Sequence, residues 1–190
     1  MGNEKDDRRV KYTKMVLKES FIQLLEKKDI SQITIKEICE DADINRATFY
    51  AHYSDQYDLM RRIEDELFEN IISYLSDFPR IAANGGIVDV VEHIFNYIRE
   101  NAKLCKLLLS ESGDLNFQKK IISLVYNADM DFLVDKAAVL KEDVGYIQAY
   151  IVTGCVGVIQ QWLDDDMKKS DRAMAELLVK LSLKPPAPLT

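Results

Sequence analysis

Apolar residues recur at intervals of three and four along nearly the whole chain, and no segment alternates as a half-buried strand does. In residues 8–27 these positions form one stripe of a helix: Tyr12, Met15, Val16, Phe21, Leu24 and Leu25. The 190 residues include only 7 Gly and 4 Pro, which is too few turn residues for a β-sandwich. The sequence therefore predicts an all-α fold.

Capping residues divide the N-terminal part into short helices. Thr34 and Glu37 have the spacing of a capping box, in which each side chain satisfies a backbone amide at the start of a helix. Asn45 is a suitable N-cap for a third helix, which we expect over residues 46–53.

The rest of the chain continues the helical pattern. A long helix capped by Ser54 or Asp55 ends before the Gly85–Gly86 pair. Five further helices are predicted, the last of them capped by Ser170, over residues 87–99, 103–109, 117–134, 142–164 and 171–183. The architecture expected is thus a bundle of about nine helices.

The second and third helices, separated by a tight turn, have the organisation of a helix-turn-helix unit. A small core is expected to set the third helix at a steep angle to the second: Ile33, Ile38, Ala42, Ile44 and Phe49. Polar side chains then remain on the outer side of the third helix: Arg46, Thr48, Tyr50 and His52. Such a helix fits the major groove of B-DNA, which is about 12 Å wide.

The segment T-I-K-E-I-C-E-D-A-D-I-N-R-A-T-F-Y-A-H-Y, residues 34–53, resembles the DNA-binding signature of the tetracycline-repressor (TetR) family of bacterial regulators. That signature reads T-x-x-x-I-x-x-x-A-G-V-S-x-x-T-L-Y-x-H-F, and the resemblance covers roughly residues 11–67. A weaker likeness extends over the end of the C-terminal half. The resemblance implies a helix-turn-helix DNA-binding domain, residues 1–54, followed by a regulatory and dimerisation domain, residues 55–190.

Two positions depart from the signature. The turn glycine of the family is Asp43 here, and aspartate tolerates the left-handed backbone region better than most residues do, at a cost of about 1 kcal/mol. The family's phosphate-contacting lysine is Gln56 here, so one charged contact per subunit is lost. The turn is therefore expected to survive with Asp43, and Gln56 is expected to weaken DNA binding without abolishing it.

The resemblance assigns DNA contacts to eight positions. Contacts with base edges or adjacent sugars are assigned to Lys36, Arg46, Ala47 and Tyr50. Contacts with phosphates are assigned to Thr34, Thr48, His52 and Gln56. The chemistry agrees for Arg46, because a guanidinium binds guanine through two hydrogen bonds. Two alternatives stay open: Tyr50 as a core aromatic, and His52 as a solvent-facing or core-edge side chain.

The distribution of charge favours binding through the N-terminal part. The chain carries a net charge of −7, yet residues 1–54 hold 10 Lys/Arg and 10 Asp/Glu, so the whole excess lies in residues 55–190. A neutral head on an acidic body is expected to turn toward DNA. It also predicts modest non-specific affinity with a steep dependence on salt.

The C-terminal half offers two candidate surfaces. A small-molecule pocket is expected to draw on aromatic and soft residues, namely Phe95, Phe117, Tyr126, Met130 and Tyr150, although such residues at helical spacing can equally be core. Two glycines allow close helix approach, and with neighbouring apolar residues they predict a dimer interface: Gly154, Gly157, Ile159, Trp162, Leu177, Leu178 and Leu181. The alternative is that these residues serve the monomer core.

Other classes of function find little support. The three cysteines, Cys39, Cys105 and Cys155, lack metal-site or disulfide spacing, so we expect no metal, no cofactor and a reducing, cytoplasmic location. There is no Gly-rich phosphate loop and no nucleophile motif, which argues against an enzyme. Residues 144–163 are the most apolar stretch but contain four polar side chains, so we interpret them as a buried core helix and not as a membrane span.

The resemblance implies a homodimeric transcriptional repressor that binds an inverted-repeat operator in double-stranded DNA and is released by a small-molecule effector. Repression is expected because it is the commoner activity in the family that the chain resembles. The alternative is a regulator with the same head whose body binds a protein partner.

Overall fold

The computed structural model describes residues 3–76, 86–110, 115–127 and 142–183, and within these ranges the regular structure is entirely helical. The helices are α1 (Asn3–Leu25), α2 (Ile35–Asp41), α3 (Arg46–Tyr50), α4 (Gln56–Ser76), α5 (Ile87–Glu100), α6 (Ala102–Leu109), α7 (Leu115–Asn127), α8 (Val144–Asp164) and α9 (Asp171–Leu183). A 3-10 turn, Ile30–Gln32, precedes α2. The all-α prediction is confirmed.

Two helix ends differ from the sequence-based expectation. Helix α1 begins at Asn3 and not at residue 8. Helix α3 ends at Tyr50 and not at Tyr53, since the amide of His52 donates to the Phe49 carbonyl, 2.9 Å away, and tightens the last turn. The last part of the helix expected over residues 117–134 lies outside the described residues.

The chain divides into two compact units, Met1–Leu67 and Phe68–Thr190, and the division falls within α4. The domain boundary expected from the sequence lies at the start of the same helix. We refer to the two units as the head and the body.

The head closes around side chains from all four of its helices. Each of the four helices, and the segment that precedes α2, contributes fully buried apolar residues to this core. They are Leu17 and Phe21 of α1, Ile33 before α2, Ile38 of α2, Phe49 of α3 and Leu59 of α4. Of the predicted small core, Ile33, Ile38 and Phe49 are therefore buried, while Ala42 and Ile44 are half-buried. An ion pair of 3.3 Å between Lys18 and Glu66 joins α1 to α4.

The body is held together by an aromatic and cationic cluster between α5 and the end of α8. Trp162 is buried, and its ring meets that of Phe95 edge-on, with 5.0 Å between the ring centroids. The Arg99 guanidinium lies over the Trp162 ring, 4.9 Å from the ring centroid. The indole N–H donates to the Lys169 carbonyl at 3.0 Å, and the Arg99 guanidinium donates to the Asp171 carboxylate at the start of α9 at 2.7 Å. These contacts fix the turn between α8 and α9.

Helix α8 is only partly a core helix. Val152, Trp162 and Leu163 are buried, as the sequence led us to expect of the whole segment, but Tyr146 and Tyr150 are 79% and 73% exposed. The expectation of a fully buried helix was wrong because one side of α8 has no partner within the described part of the chain.

Replacing Trp162 by Ala is expected to lower the free energy of unfolding by about 3–5 kcal/mol, because a large buried side chain is lost from a packed site. Trp162→Phe keeps the aromatic contact with Phe95 and loses the hydrogen bond, so it should cost about half as much. Urea unfolding of the three proteins provides the measurement. A Trp162→Ala variant within 1 kcal/mol of wild type would contradict the packing described.

Candidate nucleic-acid interface

The start of α2 is fixed by a network centred on the Glu37 carboxylate. One oxygen accepts from the Thr34 amide at 2.9 Å and from the Thr34 hydroxyl at 2.8 Å, while the Glu37 amide donates back to that hydroxyl at 3.3 Å. The other oxygen accepts from the Lys28 ammonium at 2.6 Å. The Lys28 hydrogen bond, with the two from Thr34, lowers the pKa of Glu37 to about 2. The predicted capping box is confirmed.

This network has a consequence for Thr34. Its hydroxyl proton is already donated to Glu37, so the phosphate contact that the resemblance assigns to Thr34 requires that bond to exchange. The cap and the predicted phosphate contact therefore compete for one hydroxyl.

The turn between α2 and α3 is a Schellman motif. The amide of Ile44 donates to the Cys39 carbonyl at 2.9 Å, and the amide of Asp43 donates to the Glu40 carbonyl at 3.4 Å. Asp43 occupies the position that glycine usually takes, with φ of 52° in the left-handed region. The backbone conformation expected from the sequence is confirmed, and Asp43 adopts it.

Helix α3 is short and presents one polar face. The Asn45 side chain accepts from the Ala47 amide at 2.8 Å, which confirms the predicted N-cap. Phe49 is completely buried, and this orientation leaves Arg46, Ala47 and Tyr50 exposed. Tyr50 is 57% exposed, with only its ring edge near Phe49, so it is not a core aromatic.

The remaining phosphate candidates lie around α3 and the start of α4. Thr48, His52 and Gln56 are all half-buried, and the His52 ring lies 6.2 Å from that of Tyr53. Asp55 caps α4 by accepting from the Asp58 amide at 2.7 Å. Tyr57, one residue after Gln56, is 43% exposed; the sequence analysis did not single it out, although its place in the first turn of α4 was visible in the capping pattern.

Helices α2 and α3 enclose a shallow, open concavity. Seven residues line it: Lys36, Cys39, Glu40, Asp43, Ile44, Asn45 and Arg46. Burial raises the pKa of the Cys39 thiol, while the nearby positive charge of Arg46 lowers it and the negative charge of Glu40 raises it. The two predicted base-contacting cations, Lys36 and Arg46, thus share one surface with two carboxylates.

The predicted pocket residues of the body do not form one described site. Phe95 and Phe117 are buried, whereas Tyr150 is 73% exposed. Tyr126 lies in α7 but its side chain is outside the described structure, as is the whole of Met130.

The predicted interface residues separate into an exposed and a buried group. Apart from the backbone of their own helix, added Cβ atoms on Gly154 and Gly157 would meet no described atom within 4 Å, and Leu177 and Leu181 are 36% and 56% exposed. Ile159 and Leu178 are half-buried. Trp162 is enclosed by its own chain and offers almost no surface to a second copy.

Within the described ranges, no group of His, Cys, Asp or Glu has the arrangement of a metal site. No helix there has the length and hydropathy that a membrane span requires.

Comparisons with known proteins agree with this architecture. Residues 87–184 match a TetR-type family model described as "Transcriptional regulator C-terminal region". Over 71 residues the chain is 38% identical to the uncharacterized HTH-type transcriptional regulator YxbF of Bacillus subtilis, covering 37% of this chain and 19% of that protein. Over 96 residues it is 30% identical to an uncharacterized HTH-type transcriptional regulator of Haemophilus influenzae, and the match covers 50% of this chain and 47% of that protein. The chain thus spans less than half of each of these two relatives.

Solved structures share the fold along most of the chain. A TetR transcriptional regulator from Streptococcus agalactiae has a TM-score of 0.64 at 19% identity, covering 94% of this chain and 98% of that one. The dihydroxyacetone kinase operon activator DhaS has a TM-score of 0.63 at 19% identity, covering 90% and 94%. FadR from Bacillus subtilis, in complex with stearoyl-CoA, has a TM-score of 0.65 at 15% identity, covering 90% and 97%.

Replacing Asp43 by Gly is expected to raise the free energy of unfolding by up to about 1 kcal/mol, because glycine adopts the left-handed conformation of this turn without strain. Asp43→Asn controls for the loss of charge, since asparagine keeps much of the tolerance for positive φ. Asp43→Ala should be the least stable of the four proteins. Thermal unfolding gives the order, and an alanine variant as stable as the glycine variant would contradict the strain argument.

Proposed function

The chain belongs to the TetR family of transcriptional regulators, and we propose that it acts as a homodimeric repressor that binds an inverted-repeat operator in double-stranded DNA. The observation that supports DNA reading most strongly is the outer face of α3. There Arg46 and Tyr50 are exposed on a helix that its Asn45 cap and buried Phe49 hold in one orientation. A guanidinium at the N-terminal end of a recognition helix is suited to bidentate contact with guanine.

The base and phosphate contacts follow the assignment made from the family signature. Lys36, Arg46, Ala47 and Tyr50 face base edges or adjacent sugars. The phosphate contacts are assigned to Thr34, Thr48, His52 and Gln56. Gln56 donates a neutral hydrogen bond where a lysine would add a charge, so each head makes one ionic contact fewer.

A second copy of the chain is proposed to cover the exposed sides of α8 and α9. Gly154 and Gly157 present bare backbone there, with the exposed Leu177 and Leu181 on α9. Bare helix backbone lets a partner helix approach closely, and isologous pairing of the same face gives a two-fold dimer. The two heads of such a dimer are proposed to bind operator half-sites about 34–36 Å apart, which is one turn of B-DNA.

Helix α4 is proposed to carry the effector signal, because it is anchored in each unit. In the head, Leu59, Ile63 and Leu67 are buried. In the body, the Asn70 amide donates to the Tyr97 hydroxyl at 3.0 Å, and the rings of Tyr74 and Tyr97 lie 5.7 Å apart. An effector that moves α5 would therefore move α4 and change the spacing of the two heads, and DNA binding would weaken effector binding by the same factor.

The effector is proposed to be a small molecule bound in the body. FadR, which shares the fold, is seen with stearoyl-CoA, so this architecture can hold an acyl ligand. The alternative is a protein partner, which the exposed Tyr146 and Tyr150 of α8 favour, since exposed aromatics are enriched at protein interfaces. Titration with a fluorescent hydrophobic dye separates the two, because a dye needs a cavity.

The sense of regulation is tested by a reporter gene placed behind the operator. Repression is proposed because it is the commoner activity in the family. Activation is the alternative, since DhaS, which shares the fold, is an activator. Reporter output that falls when the protein is expressed supports repression. Output that rises would show that the protein is an activator.

Arg46→Ala is expected to weaken binding to an operator selected from random duplexes by about tenfold or more per half-site, because one bidentate base contact is worth about 1–3 kcal/mol. Arg46→Lys keeps the charge but not the planar fork, so it should lose specific binding while keeping affinity for random DNA. Fluorescence anisotropy with both duplexes measures this. An Arg46→Ala variant that binds the operator as wild type does would overturn the assignment of α3.

Gly157→Leu is expected to give a folded monomer. A Cβ at this position meets no neighbouring atom within 4 Å among the described residues, and leucine favours the helix over glycine by up to about 1 kcal/mol. The substitution is therefore expected to block the approach of a second helix while leaving the single chain folded. Gln23→Leu, on the exposed side of α1, adds comparable bulk to the head as a control. Sedimentation velocity reads the result, and a Gly157→Leu protein that remains a dimer would exclude this face.

A further inference from the structure

We propose that Glu40 is a specificity-determining residue of the DNA-reading surface, which penalises random DNA and accepts a hydrogen bond from a cytosine amino group in the operator. This inference rests on the proposed function, because it presumes that the concavity between α2 and α3 faces DNA. Glu40 is not among the positions to which the family signature assigns a contact.

The position of Glu40 is set by its helix. Lys36 and Glu40 are one turn apart on α2, with 3.7 Å between the ammonium nitrogen and a carboxylate oxygen, and their side chains are 61% and 66% exposed. Both residues line the concavity that also contains Arg46. The carboxylate therefore lies directly beside a cation that the proposed function gives to DNA.

The charge of the concavity is unusual for a DNA-reading surface. Its two cations, Lys36 and Arg46, are matched by two carboxylates, Glu40 and Asp43. Asp43 is accounted for by the left-handed turn, in which it replaces glycine. The Glu40 side chain has no such role, since only the backbone carbonyl of Glu40 takes part in the turn and another good helix former would supply that carbonyl equally well.

The carboxylate has opposite effects on the two kinds of complex. On random DNA, binding depends on phosphate contacts, so Glu40 both competes for Lys36 and repels the phosphates. At an operator, the major groove offers the cytosine N4 amino group, which can donate a hydrogen bond to the glutamate carboxylate. The loss of affinity caused by the carboxylate is then offset only where the DNA sequence supplies that donor. The resulting difference in affinity between operator and random DNA is the specificity.

Neighbouring Asp41 provides a matched control. It is exposed, it ends the same helix, and it does not line the concavity. Glu40→Gln and Asp41→Asn change the net charge of the head equally. An effect seen only with Glu40→Gln therefore comes from the place of the carboxylate and not from total charge.

The experiment compares full-length wild type, Glu40→Gln and Asp41→Asn for binding to a random duplex over a range of salt concentrations. Glu40→Gln is expected to bind random DNA about two- to fivefold more tightly at low salt, the size expected for an exposed ion pair. The salt dependence should become steeper by about one unit of slope per protomer, as Lys36 gains a phosphate contact. Asp41→Asn should show a smaller change in both.

Two further measurements complete the test. On a Lys36→Met background, Glu40→Gln should raise affinity for random DNA by less than it does in wild type, since the competing cation is gone. Sites selected by Glu40→Gln from random duplexes should lose a preference for one C·G pair per half-site that wild type shows.

The outcomes separate this inference from the function on which it rests. Equal effects of Glu40→Gln and Asp41→Asn, or identical selected sequences for wild type and Glu40→Gln, would overturn the role of Glu40 while leaving the operator-binding function intact. If wild type binds no duplex at all, the proposed function fails, and the role of Glu40 fails with it.

Discussion

The DNA-reading surface depends on the burial of Phe49. Helix α3 has only five residues, Arg46–Tyr50, so it has almost no stability of its own and takes its orientation from the single side chain that it buries. With Phe49 enclosed by the head core, Arg46 and Tyr50 have to face outward. The Schellman turn through Asp43 and the Asn45 cap then fix where the helix begins. Local backbone geometry therefore decides which side chains the proposed DNA-reading surface presents.

The body relies on a different kind of contact. The turn between α8 and α9 is held by hydrogen bonds from Arg99 and Trp162 to backbone carbonyls, and Arg172 on α9 bonds both Asp89 and Glu92 on α5. Helices α5 and α9 are thus joined by ion pairs at a largely exposed surface and by packing beneath it. This arrangement keeps α9 in place, and within the described residues it leaves Tyr146 and Tyr150 of α8 and Leu181 of α9 exposed.

The sequence was sufficient for features that depend on local chemistry. The capping box at Thr34, the Asn45 cap, the Ser170 cap and the positive φ of Asp43 all follow from neighbouring residues, and all are found. Features that depend on tertiary packing were less accessible. Trp162 and Tyr150 lie on the same helix and are both large aromatics, yet one is buried and the other is exposed. Trp162 packs on Phe95 and Arg99 of α5, whereas Tyr150 lies on a side of α8 that no described helix covers. The ion pair between Lys36 and Glu40 was visible in the spacing, but its place in a concavity with Arg46 was not.

The central claim is that the outer face of α3 occupies the major groove at two sites one helical turn apart. Dimethyl sulfate tests this directly, because it methylates guanine N7 in the major groove and adenine N3 in the minor groove. We predict that the bound protein protects guanine N7 in two clusters about 34–36 Å apart, with Arg46→Ala removing protection from both. Protection of adenine N3 alone, or of a single cluster by a dimeric protein, would contradict the account.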